Sequence, residues 1–368
     1  MWRAGINPFR FTPLDPHLAA LRALHPDIFR GINYPELPTI YPLTSQLTFL
    51  LASFVAPGVT GLKIALCAAE IVGLGVLRRA LRRAGRPASW AILAAWHPLA
   101  LSETAANGHV DAVGGLFLLL AACGAARWPP VSPGTLADES ARQSSKRSGW
   151  LHPIGMAAAL TAAALTKWSV LVVLPALRLT WRTWIALVLL TVAGAAVFIA
   201  PGVNPFFSLG QYVERWRWND SLFWLLMRAA GDLRIAKVIA ALALLAWVLG
   251  VSRRERRPDW AARSAFGALL LLAPTLHPWY LLWILPLVAC SPEPGWLWLL
   301  ATLPLSYGPF PHRLAEKQED LTLGLRLVEF GPAFGWWGWV WARRALSAWS
   351  RAGKPLRGPG PRPTPPSI

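Results

Sequence analysis

Between residues 103 and 111 the chain reads Glu103-Thr-Ala-Ala-Asn107-Gly108-His109-Val-Asp111. Two carboxylates, an imidazole and an amide share one short stretch. These side chains can move a proton, hold hydroxyl groups or ligate a divalent metal. Gly108 permits a tight turn between them. The plainer reading is a polar turn that caps two helix ends. Related residues recur far away in the sequence. Lys167 stands in Thr166-Lys167-Trp168, inside an apolar stretch. A fixed ammonium at a cavity mouth suits a phosphate; alternatively it snorkels to a polar surface. Gln211-Tyr212-Val-Glu214-Arg215-Trp216-Arg217-Trp218-Asn219-Asp220 interleaves aromatics with Arg, Asn and acids. Aromatic faces stack on sugar rings and Arg forks bind phosphate. An interfacial amphipathic helix has the same composition. His277-Pro278-Trp279-Tyr280 adds a second histidine, a type more often a structural hydrogen-bonder than a catalyst. Near the N-terminus, Gly5-Ile6-Asn7-Pro8-Phe9 and Asn33-Tyr34-Pro35-Glu36-Leu37-Pro38-Thr39-Ile40-Tyr41-Pro42, with Gln46, form stiff Pro- and aromatic-rich loops.

The elements that must position these residues are apolar. Of 368 residues, 55% are hydrophobic and 15% charged, against about 25% charged in an ordinary soluble domain. The expected fold is all-α, a polytopic membrane protein with about eleven transmembrane or half-membrane helices. The candidate crossings are 59–77, 88–106, 110–126, a hairpin of 153–166 and 168–179, then 183–200, 234–251, 260–276, 278–291, 295–309 and 323–342. Segment 43–57 is too short to span comfortably and reads as re-entrant. The implied organisation is an outer-face loop and re-entrant segment over 1–58, then a transmembrane helical domain over 59–345. A cytoplasmic linker at 127–150 interrupts that domain, and a disordered basic Pro-rich cytoplasmic tail covers 346–368. Trp90, Trp128, Trp184, Trp260 and Trp296 stand at run ends, as interfacial anchors do.

Charge sorts the loops. The net charge is +18, but it comes in bursts between apolar runs: Arg78 to Arg86, Arg142 to Arg147, Arg253 to Arg257, and Arg343 onward. That is the positive-inside pattern of a multi-pass protein of the plasma (bacterial inner) membrane, and it argues against nucleic acid as a partner. All the motifs above then fall on the outer face. No apolar stretch of the signal-peptide kind opens the chain. Cys67, Cys123 and Cys290 show neither metal spacing nor a disulfide framework. No metal site is assigned, although the 103–111 cluster leaves a divalent metal open, and no other cofactor is implied. A permease or lipid-linked-sugar flippase is the alternative class. It would require ionisable groups at mid-membrane on several helices and a visible repeat; apart from Glu70, inside 59–77, the ionisable residues sit mostly at helix ends. A polymerase or ligase of surface glycans would show a long outer loop.

Taken in order, Gly-Ile-Asn-Pro-Phe, Pro-Glu-Leu-Pro-Thr-Ile-Tyr-Pro, Asn-Gly-His-Val-Asp, Leu-Thr-Lys, Glu-Arg-Trp-Arg-Trp-Asn-Asp-Ser and His-Pro-Trp-Tyr resemble bacterial family-C membrane glycosyltransferases (GT-C fold). The likeness is to the polyprenol-phosphate-mannose-dependent mannosyltransferase branch and covers residues 2 to about 342. The resemblance implies an outward-facing cavity and a polyprenyl-phosphate-linked sugar donor, with mannose as the hexose. The acceptor would be a cell-envelope glycan or lipid, and the reaction an inverting displacement. Carried onto this sequence, it implies Asp111, Glu103 and His109 as catalytic candidates. Asn107, Lys167, Arg215, Trp216, Asn219, Asp220, His277, Tyr280, Tyr41 and Asn7 become substrate-binding candidates, with Lys167 and Arg215 toward the donor phosphate. The family places an Asp after a first membrane helix, ahead of the Gly-Ile-Asn-Pro stretch. Neither that helix nor that Asp has a counterpart here, so the expectation is a start upstream of Met1 or an inactive truncated relative.

Overall fold

The computed structural model describes residues 1–125, 153–196, 204, 206–308 and 322–352. The described residues are helical throughout, with one isolated bridge between Trp218 and Thr275 and no strand among them. The expected linker at 127–150 and the tail from 353 lie outside the described residues.

The longer helices are α1 (Leu43–Val55), α2 (Gly58–Arg83), α3 (Asp111–Ala125), α4 (Pro153–Ala164), α5 (Trp181–Ala196), α6 (Phe207–Arg215), α7 (Leu222–Ala230), α8 (Leu233–Arg254), α9 (Pro258–Leu272), α10 (Pro294–Thr302) and α11 (Leu323–Ala352). Their ends follow local chemistry. Asp232 caps α8 by accepting from Arg234 N and Ile235 N at 2.8 and 2.9 Å. Glu293 caps α10, and Pro258 and Pro294 open their helices where a missing N–H costs nothing.

Only α2 and α8 are long and apolar enough to cross a membrane as single described helices. At 1.5 Å per residue they measure about 39 and 33 Å. The expected crossing 88–106 is instead broken. It runs as a 3-10 turn at Ala88–Ala91, short helices at Ile92–Ala95 and Pro98–Ala100, and a π-helical turn at Leu101–Ala106. Pro98 lacks the N–H that would continue the ladder and holds His97 extended. The expected runs 168–179 and 278–291 break for the same reason. Trp168–Leu177 is a 3-10 helix containing Pro175, and Pro278–Trp283 is a 3-10 helix followed by Leu285–Cys290, which carries Pro286. At the C-terminal side, α11 continues to Ala352, beyond the expected boundary at 345.

Helix directions alternate, so turns collect at two ends. One end holds the turns after α2, after Leu177, after α8 and after Cys290. There Arg86 bonds Asp259 at 3.1 Å and the Cys290 carbonyl, Arg257 bonds Asp259 at 2.9 Å, and Arg178 bonds the Ser252 carbonyl at 2.9 Å. The opposite end holds residues 103–111, Lys167, 206–221 and His277. The core between them is built on small residues, with Ala121, Ala157, Ala163 and Ala265 fully buried beside Leu118, Phe266 and Trp283. Gly114 and Gly115 let α3 lie directly on Leu282 and Trp283.

This close approach makes a testable demand. A Cβ on Gly114 would stand 2.2 Å from the Trp283 ring, whereas one on Gly75 meets nothing within 4 Å. Gly114→Val should destabilise by about 1–3 kcal/mol, the usual cost of overpacking. Gly75→Ala, in an open helical position, should hold or raise the melting temperature. Thermal unfolding in detergent checks both, and a Gly114→Val protein melting like wild type would refute the packing.

Candidate functional site

Asp111 begins α3 and is 2% exposed. A carboxylate at a helix N-terminus is favoured by the unsatisfied N–H groups there. Two donors converge on its Oδ1: Trp283 Nε1 at 2.7 Å and Lys167 Nζ at 3.1 Å. Among the described residues no hydrogen bond reaches Oδ2. Trp283 is fully buried, so the indole fixes the carboxylate from the core side. Lys167 is set by backbone geometry. It lies extended between α4 and the Trp168–Leu177 helix, and α1 is tied to its neighbours by Thr44 N to Leu165 O at 2.8 Å and Ser45 Oγ to Thr166 O at 2.9 Å.

The π-helical turn at Leu101–Ala106 carries Glu103 inward, where it is completely buried. Its Oε2 accepts from Tyr307 OH at 3.0 Å and Asn107 Nδ2 at 3.2 Å, and lies 3.4 Å from His109 Nε2. Its Oε1 accepts from Ser102 Oγ at 3.2 Å. Gly108, at φ 77, turns the chain so that His109 N–H bonds the Glu103 carbonyl at 2.8 Å. With both oxygens engaged, Glu103 organises Asn107 and His109.

Trp279 separates the two histidines. His109 and His277 each stack on its indole with centroids 4.1 Å apart and interplanar angles of 14° and 9°. Two parallel rings at that distance fit only on opposite faces. Both faces of Trp279 are therefore occupied by imidazoles rather than open to a sugar. Behind His277 the chain 216–221 is stitched to 271–276. Trp218 N bonds Pro274 O at 3.0 Å, Leu276 N bonds Trp218 O at 2.8 Å, and Ser221 Oγ bonds Leu271 O at 2.9 Å.

Phenols complete the site. Lys167 Nζ sits 3.7 Å above the Tyr280 ring, and the Tyr280 and Tyr212 hydroxyls meet at 2.5 Å. Tyr212 stacks on Trp216, whose other neighbour is Tyr34 at 4.7 Å. Burial, with Asp111 and Tyr212 adding, pushes the Tyr41 phenol above its ordinary range. With Tyr307 on Glu103, all 5 tyrosines of the chain belong to this one assembly. A uniform scatter along 368 residues would not produce that.

The structure thus draws Asp111, Glu103, His109, Asn107, Lys167, Tyr41, Trp216, His277 and Tyr280 to one end of the bundle. Other candidates stand differently. Asn7 is engaged locally, accepting from Phe9 N at 2.9 Å. Arg215 ends α6 and is exposed. Asp220 is a clamp: Arg217 holds its Oδ2 at 2.8 Å and Arg326 of α11 its Oδ1 at 2.9 Å. Asn219, at φ 48, is buried beside that clamp, with its side-chain amide toward Glu329. Trp279, Trp283, Tyr212, Tyr307, Arg326 and the fully buried Glu329 were not among the sequence candidates. Tyr212 and Trp279 stand inside the quoted motifs, whereas Tyr307 falls in the expected crossing 295–309 and no sequence signal sets it apart. No group of three or more His, Cys, Asp or Glu side chains with metal-holding geometry occurs among the described residues. Comparisons with family models, with curated proteins and with solved structures return no match to this chain.

Burial dominates the electrostatics. It lowers His109 from 6.5 to about 4, with Lys167 adding and Asp111 opposing. It lowers His277 from 6.5 to about 3, with Lys167 and His109 adding. Burial also lowers Lys167, against the pull of Asp111. Both imidazoles are neutral at pH 7 in the folded chain. A depressed folded pKa means that the unfolded chain binds protons first as pH falls. Their contribution to stability is complete above about 6.5 and is lost as pH drops toward about 4 and about 3. Melting temperatures from pH 7.5 to 4.5 should fall more steeply for wild type than for a His109→Phe/His277→Phe double variant. Equal slopes would refute the neutral buried assignment.

Proposed function

We propose that this chain is a polytopic membrane glycosyltransferase. It moves a hexose, mannose in the favoured reading, from a polyprenyl-phosphate donor to a cell-envelope glycan or lipid acceptor at the outer face of the plasma membrane. The observation that carries the reading is the Asp111 carboxylate. It is buried and held on one oxygen by an ammonium and an indole, and it stands among phenols and imidazoles at the end of the bundle opposite the arginine-bearing turns.

Membrane residence is supported by what the helices leave uncovered. Ile71 and Val72 of α2, Val188, Leu189 and Val192 of α5, and Val238, Leu242 and Leu245 of α8 are all more than half exposed. A soluble monomer rarely shows apolar surface on that scale, whereas lipid covers it without cost. The broken segment 278–290 runs inside the bundle, with no exposed residue along it. That is where non-helical backbone at membrane depth is tolerated.

In the proposed step the acceptor hydroxyl oxygen attacks the anomeric carbon while its proton passes to Asp111 Oδ2. The bond from that carbon to the phosphate oxygen breaks on the opposite side, and the electron pair leaves with the lipid phosphate. Lys167 supplies positive charge to that phosphate. Glu103 sets His109 and Asn107 along the wall, and Tyr41, Tyr212, Tyr280 and Tyr307 offer hydroxyls to the sugar. Trp216 offers an aromatic face.

Transfer can be measured with protein in nanodiscs, radiolabelled polyprenyl-phosphate-mannose and a membrane glycolipid extract as acceptor. Asp111→Asn should lower the transfer rate by about 10²–10⁴-fold, the range of general-base catalysis. Glu103→Gln, which keeps one acceptor oxygen, should cost less. Full activity in Asp111→Asn would remove Asp111 as the base. Absence of transfer from every polyprenyl-phosphate hexose offered would sink the enzyme reading.

A further inference from the structure

Lys167 and Asp111 form a pair of unequal access. The Asp111 side chain is 3% exposed, whereas that of Lys167 is 30% exposed. A phosphate-bearing ligand approaching this end therefore reaches the ammonium before the carboxylate. Yet the ammonium is already engaged, at 3.1 Å from Asp111 Oδ1 and 3.7 Å above the Tyr280 ring. An ammonium has three donors, but only one positive charge. A phosphate arriving at Lys167 must share that charge with a resident carboxylate and is repelled by it across a short gap.

From this geometry we infer that Asp111 is the internal anion of a phosphate site. Lys167 exchanges between Asp111 and the phosphate of a polyprenyl-phosphate ligand according to the charge on Asp111. The inference rests on the transferase reading only for the identity of the ligand. It adds a release step to that reading. When Asp111 takes the acceptor proton it becomes neutral, and the charge of Lys167 is free for the departing phosphate. When the neutral Asp111 then gives its proton to water, its carboxylate draws the ammonium back and the lipid phosphate is displaced. One proton enters from the acceptor and one leaves to solvent. No other reactant is required. The Trp283 indole makes the exchange asymmetric. It keeps Asp111 in place through 2.7 Å contact with the same oxygen, so the lysine is the partner that moves.

The two charge states can be imitated by substitution. Asp111→Asn stands for the protonated carboxyl and can still accept from Trp283; Asp111→Ala removes the charge by a different route. Binding is read by thermophoresis with purified protein in nanodiscs. The probes are a short-chain polyprenyl monophosphate, the corresponding neutral polyprenol and inorganic phosphate, and the melting temperature of each variant confirms folding. Both Asp111 variants should bind the lipid phosphate about tenfold or more tightly than wild type, the scale of one charge removed at several ångströms. Lys167→Met alone should bind the lipid phosphate more weakly than wild type and, combined with Asp111→Asn, should abolish the gain; the neutral polyprenol should show no gain. A comparable gain with inorganic phosphate shows that the headgroup alone drives the exchange. A gain with inorganic phosphate but none with the lipid overturns the lipid as ligand. Unchanged or weaker lipid-phosphate binding in both folded Asp111 variants overturns the exchange itself. A protein that shows the binding gain but no sugar transfer would lose the transferase reading and keep the exchange.

Discussion

A carboxylate closed off from solvent must be paid for by its neighbours, and at Asp111 they are Trp283 and Lys167. Much of the architecture serves those two contacts. Trp283 can reach Asp111 because Gly114 and Gly115 remove every side-chain atom between α3 and the 278–283 segment. Lys167 can reach it because α4 stops at Ala164 and the chain lies extended before resuming as a 3-10 helix. Losing either donor would leave charge with insufficient compensation in a low-dielectric setting, where truncating one member of a buried pair is far costlier than the net worth of the pair.

The same economy explains the second acid. Glu103 is as buried as Asp111 but differs in how its oxygens are used. Three neutral donors, from Tyr307, Asn107 and Ser102, engage both of its oxygens, and a neutral imidazole, His109, stands beside it. Asp111 has a full cation on one oxygen and an open second oxygen. Two carboxyls a few residues apart are thus given different tasks by their surroundings, one fixing a wall and one able to accept a proton. Trp279 belongs to the wall: an indole covered on both faces by imidazoles is a spacer.

What the sequence made legible follows from range. Polar residues interrupting apolar runs are costly wherever they stand, so Asp111, Lys167 and His277 were visible one at a time, and charge alternation was enough to gather them at one end. Helix continuity was less legible. A run such as 88–106 has the hydropathy of a crossing, yet one proline at 98 and the inward pull on Glu103 divide it into four local conformations. Hydropathy counts apolar atoms and does not sense where a backbone N–H is missing. Arg326 and Glu329 were hidden for the opposite reason. They stand one turn apart at the start of an otherwise helical run, and only the fold brings Arg326 to Asp220.

That last contact also explains why segment 217–221 serves as a frame. Asp220 takes both Arg217 and Arg326, Ser221 holds α9, and Trp218 pairs with 274–276. These contacts bind α11 and α9 to the strip that carries His277 and Tyr280. The position of Tyr280 under Lys167 is therefore set by groups drawn from separate parts of the chain. A shift of α11 would be felt at Asp220 first, next at the 274–276 strip, and only then at the ammonium. The Asp111–Lys167 pair is local; the structure that positions it is spread over nearly the whole described chain.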